Sequence, residues 1–226
     1  MLTEEAHHMF VGETGITRVI ARTLEVMKEL KTDDPAAVRA AGAIDLPLLQ
    51  RYINFWYSSS LDLFGAEDSS NAATTFANGI KGRPDEATYS EHVCKDGVTE
   101  IAMPDEIAGV RIAQVPQRNA MNETVRQAYA KDCEIGLKRW NRTIERAGFG
   151  FRLSLPSTRF NRKIGVWANQ SVDPAGNTIP RERFERELTG WLPLAADKQF
   201  VKSLMQRVVE PGKMAAWIAP PERGIN

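Results

Sequence analysis

Glu4-Glu5-Ala6-His7-His8-Met9 stands near the start of the chain and holds Glu-x-x-His in two overlapping registers, Glu4/His7 and Glu5/His8. Residues three apart share one face of a helix, so either register sets a carboxylate beside an imidazole. Carboxylate-bridged di-iron sites in helical bundles use two such motifs and two further carboxylates. This sequence supplies the motif once.

Helix phase separates the registers. At about 100° per residue, Glu5 and His8 line up with Gly12, Ile16, Val19, Thr23, Met27 and Leu30, a small or apolar stripe expected to face a core. Glu4 and His7 share their face with Val11 and Gly15 and then with Arg18, Arg22, Glu25 and Glu29, which is a wet surface. A bundle metal site needs its ligands inside and shielded from bulk water, so Glu5 and His8 are the metal and catalytic candidates, and His7 is expected at the surface. Gly12, one turn on, costs about 1 kcal/mol of helix propensity against Ala and leaves room beside the site. The plain alternative for any Glu-x-x-His is a surface ion pair between helical neighbours.

The run LTEEAHHMFVGETG, residues 2–15, resembles the second Glu-x-x-His helix of benzoyl-CoA 2,3-epoxidase, in its oxygenase component. Three further runs resemble the same family: ELKTDDPAAVRAAGAIDLP at 29–47, DLFGAEDSSNAAT at 62–74, and VVEPGKMAAWIAPPERGIN at the end of the chain. Residues 88–117 resemble it least. The resemblance implies a soluble ferritin-like di-iron monooxygenase. Its substrates would be benzoyl-CoA and O2, its electrons would come from an NADPH-dependent flavin and iron-sulfur reductase, and its product would be an epoxide across the 2,3 bond, within aerobic benzoate degradation. By the same resemblance Glu5 is a bridging or chelating ligand to iron and His8 a terminal one, a donor pair that iron accepts. The other ligands, a Glu, a first Glu-x-x-His and an Asp, precede this segment in the family. The chain is therefore expected to be the C-terminal half, with an incomplete di-iron site when alone and Thr3 as a makeshift N-cap.

The expected fold class is mainly α: a partial ferritin-like di-iron bundle over residues 1–66, a loop-rich insertion with short strands over 67–118, and a helix with a C-terminal extension over 119–226. Within this frame the reading places helices at 3–31, 36–41 and from Asp45 and Pro47 to a stop at Gly65. Leu48, Leu49, Tyr52, Ile53, Trp56 and Leu63 of the third helix are assigned to the core. Short apolar runs such as Val110 to Ile112 read as strand or irregular structure. Asn119 is expected to cap a helix to Ala147, whose inward stripe would be Met121, Val125, Tyr129, Cys133, Trp140 and Ile144. Alternation at Phe151, Leu153 and Leu155 predicts a strand that Pro156 interrupts. A turn at 173–177 leads to short helices at 182–188 and 197–209.

Lys plus Arg and Asp plus Glu balance at 29 each, which gives no basic signal for nucleic acid. Cys94 and Cys133 lack metal-ligand spacing and fit reduced thiols in a cytoplasm. Neither a signal peptide nor an apolar run of membrane-spanning length is present, so a soluble, cytoplasmic protein is expected.

An acyl-CoA needs Lys, Arg and backbone amides around its phosphates. The loop with Asn71, Lys81 and Arg83 is the first candidate for substrate binding, and Arg152, Arg159, Arg162 and Lys163 form the second. Lys138, Arg139, Arg142 and Arg146 read as a solvated helix face. Two other classes compete with the epoxidase: an inactive fragment or acyl-CoA-binding module without oxygen chemistry, and iron storage, which the long irregular middle disfavours. Within the enzyme class the rival is a phenylacetyl-CoA epoxidase-like protein.

Overall fold

The computed structural model of the chain describes residues 2–70, 97–106 and 109–205. Its elements, in order, are α1 (Leu2–Leu30), α2 (Pro35–Ala40), α3 (Leu46–Asp62), the strands β1 (Val98–Asp105) and β2 (Gly109–Pro116), a 3-10 turn Gln117–Ala120, α4 (Met121–Arg146), α5 (Arg181–Trp191) and α6 (Ala195–Leu204). The fold is mainly helical with one small sheet. No described helix is long and apolar enough to cross a membrane.

Two compact units divide the chain. Met1–Tyr52, Ile135–Ser154 and Leu192–Asn226 form the first, and Ile53–Glu134 with Leu155–Trp191 the second. The first unit contains α1, α2 and α6. Along α1, Ile20, Thr23, Leu24, Val26 and Met27 are buried, which is the i, i+3, i+4, i+7 spacing of one helical face. The Thr23 hydroxyl donates to the Ile44 carbonyl at 2.6 Å. Asp34 caps α2 by accepting from the Ala37 N–H at 2.9 Å, and Asp45 caps α3 by accepting from the Leu48 N–H at 2.9 Å. Buried Asp197, at the start of α6, accepts from Arg39 and Arg51 at 3.0 Å each. Arg139 on α4 forks onto both oxygens of Glu13 on α1, at 2.8 and 2.9 Å.

Residues 151–155 form no strand. Side chains satisfy this backbone in place of a neighbouring strand. Asn141 donates to the Leu153 carbonyl at 2.9 Å and accepts from its N–H at 2.8 Å, and Gln50 does the same for Ser154, at 2.8 Å each way. The apolar alternation is real, but two amide side chains have taken the ladder positions.

In the second unit β1 and β2 pair as an antiparallel hairpin with Ile101 opposite Ala113. Ile101, Val115 and Ala120 form its buried cluster. Phe160, Phe184 and Trp191 pack ring to ring, with centroids 5.9 to 6.4 Å apart. Two core assignments for the third helix are corrected: Trp56 is 63% exposed, and Leu63, just past the helix end, is 87% exposed. The buried face of this part of α3 runs through Asn54, Tyr57, Ser58 and Leu61. Asn54 donates to the Trp191 carbonyl at 3.0 Å, and Ser58 accepts from Asn161 at 3.2 Å. Polar residues with partners hold the inward positions, so Trp56 faces out.

Candidate functional site

Positions 5 and 8 lie three apart on α1 and so fall on one helical face. His8, His7 and Glu4 are exposed, and the side chain of Glu5 lies outside the described residues. Exposure continues through Met9 (74%), Phe10 (58%) and Val11 (46%) to Gly12. The stripe expected to run inward from His8 is exposed at Gly12, half-buried at Ile16 and Val19, buried at Thr23 and Met27, and exposed again at Leu30. Among the described residues no three His, Cys, Asp or Glu side chains gather as a metal-binding group. The described residues therefore hold no complete metal cage.

The first substrate candidates, Asn71, Lys81 and Arg83, lie outside the described residues. Of the second set, Arg152 and Lys163 are exposed, and Arg162 is buried and committed. Its Nε donates to Asp62 at 2.6 Å and its Nη1 to Glu67 at 3.0 Å. Sequence reasoning missed Arg162's buried companion, Arg126. That guanidinium pairs with Glu123, lies 3.2 Å from Glu67 Oε1, and donates to the carbonyls of Leu61, at 3.3 Å, and Gly65. It thus satisfies carbonyls at and just beyond the C-terminus of α3, where helices leave acceptors unpaired. The signal was available as Asn122, Arg126 and Tyr129, spaced i, i+4, i+7 along α4. Apolar patterning discounts such a polar row.

Glu67 ties the network together, because its second oxygen accepts from the Val166 N–H at 2.8 Å. A Cβ built on Gly165 would collide with that oxygen, and Gly165 has φ +86°. Glycine is required there on both counts. Asp62 and Glu67 both fall in the run 62–74, one of the four that carry the resemblance. Burial of Cys133 is the main cause pushing its thiol up, so it is poorly disposed to act as a thiolate. Lys138, Arg139, Arg142 and Arg146 are exposed, as a solvated face requires.

The fold is that of a mainly helical protein whose first helix carries the overlapping Glu-x-x-His pairs Glu4/His7 and Glu5/His8. No family model matches the chain. The sequence is 51% identical over 229 aligned residues to the benzoyl-CoA oxygenase component B of Aromatoleum evansii, a match that covers 100% of this chain and 48% of that protein. The chain spans about half the length of the curated relative it matches. This bears out the resemblance read from the four quoted runs.

Proposed function

We propose that this chain is the C-terminal portion of a di-iron monooxygenase that epoxidises benzoyl-CoA at the 2,3 bond, using O2 and electrons from a reductase. The observation that carries the reading is the 51% identity across the whole chain to a benzoyl-CoA oxygenase component B. In this reading residues 1–66 belong to a ferritin-like bundle, and 67–118 and 119–226 are elaborations around it. Glu5 offers carboxylate oxygens and His8 an imidazole nitrogen, a mixed donor set that suits iron. Bound there, iron would supply the reduction of O2. The chain's own part is to hold these two donors on one helical face, with α1 anchored by the buried row from Ile20 to Met27 and by the Glu13–Arg139 pair. The remaining donors belong to the part of the relative that this chain does not match.

The experiment is to co-express this chain with that unmatched part of the A. evansii protein, then supply NADPH, an NADPH-dependent flavin and iron-sulfur reductase, O2 and benzoyl-CoA. The expected product is the benzoyl thioester heavier by one oxygen atom, with the atom traced from 18O2. NADPH oxidation that benzoyl-CoA does not stimulate, with no oxygenated thioester, would overturn the reading and favour an acyl-CoA-binding module without oxygen chemistry.

A further inference from the structure

In the unit built from Ile53–Glu134 and Leu155–Trp191, two hollows of about 250 and 460 Å3 share Val110 and Arg159 in their walls. Arg126 and Arg162 nearby are buried and matched by Glu67, Glu123 and Asp62. Arg159 is placed differently. Its guanidinium lies over the ring of buried Trp167, 5.1 Å from the centroid, and among the described residues no carboxylate pairs with it. The Arg159 backbone N–H donates to Ser157 Oγ at 3.3 Å. Room for the guanidinium depends on Gly176, because a Cβ there would stand 3.0 Å from Nη2.

An arginine placed over an indole ring keeps N–H donors for an oxyanion, and a planar fork of donors suits phosphate. The wider hollow adds Asn177 and Thr178 beside Arg159, with Asp105 and Glu106 at the hairpin end. Two carboxylates on that side disfavour a polyanion lying along the whole cleft and leave room for one anionic group at the Arg159 end. We infer that Arg159 anchors one phosphate of a coenzyme A thioester in this hollow. This rests on the proposed function, which requires an acyl-CoA. The volume is of the order of small-molecule sites.

The test is isothermal titration of coenzyme A, and separately of inorganic phosphate, into the full chain and its Arg159→Gln, Arg159→Lys and Arg152→Gln variants. Near-UV circular dichroism checks that each variant is folded. Loss of a charge-assisted bidentate contact raises the coenzyme A Kd about tenfold or more in Arg159→Gln. The expected change in Arg159→Lys is smaller, and Arg152→Gln behaves as the parent. Coenzyme A binding that Arg159→Gln leaves intact overturns the assignment while the oxygenase reading stands. Phosphate binding as tight as coenzyme A, with the same dependence on Arg159, overturns the coenzyme and leaves a free-anion site. Absence of coenzyme A binding to the parent chain also overturns the assignment, and the oxygenase reading is then decided by 18O incorporation.

Discussion

Glu67 receives Arg126 and Arg162 on one oxygen and the Val166 N–H on the other, at 2% exposure. Three carboxylates, Asp62, Glu67 and Glu123, face these two guanidiniums. Removing one partner of a buried pair leaves the other charge uncompensated, at a cost of about 3–5 kcal/mol. Arg126→Met keeps much of the volume and leaves all three carboxylates to the one remaining guanidinium, Arg162, so it should lower the urea midpoint by that amount of stability with an unchanged slope. A loss below about 1 kcal/mol would show that the network behaves like an exposed one. Tyr57 gives a pH dependence. Burial is the main cause holding its hydroxyl above the ordinary tyrosine range, followed by Cys133 and Tyr129. The folded state therefore keeps the proton longer than the unfolded state. The stability this contributes is fully present below about pH 10 and is lost as pH rises further. Urea midpoints should fall on the alkaline side of pH 10, and Tyr57→Phe should flatten part of that fall. Tyr129 and Cys133, both shifted upward by burial, supply the remainder. An unchanged alkaline slope in Tyr57→Phe would contradict this.

α1 is a helix of two halves. Burial is concentrated from Ile20 to Met27, whereas Met9 to Val11 present apolar side chains to solvent. Segments with few buried contacts open at low free energy. Amides of residues 9–13 should therefore exchange with solvent at least about a hundredfold faster than those of residues 20–27, read by hydrogen-exchange mass spectrometry. Equal protection along the helix would contradict it. Helices were legible where caps and periodicity agree: Asp45 before the third helix and the Gly65 stop, which has φ +81°. The losses share a cause. Apolar patterning ranks Trp56 and Leu63 above Asn54 and Ser58, yet hydrogen-bond partners distant in sequence decide which side of α3 is buried. The same blindness hid Arg126, and it turned 151–155 into a strand when Asn141 and Gln50 occupy its ladder.

On the scale of the whole molecule, the chain matches 48% of a relative whose name states an oxygenase. The candidate ligands were legible because Glu-x-x-His is local, three residues on one helix. Completing a metal site is a long-range property that neither the motif nor α1 carries. In the proposed function this chain contributes Glu5 and His8 to a di-iron site whose other donors come from the unmatched part of such a protein. The direct measurement is iron bound per chain after anaerobic Fe(II) reconstitution, for the chain alone and for its complex with that part, each with Glu5→Ala and His8→Ala counterparts. The expected values are near zero for the chain alone and about two irons per complex, reduced by either substitution. About two irons on the isolated chain, or a complex whose iron is indifferent to Glu5 and His8, would contradict that reading.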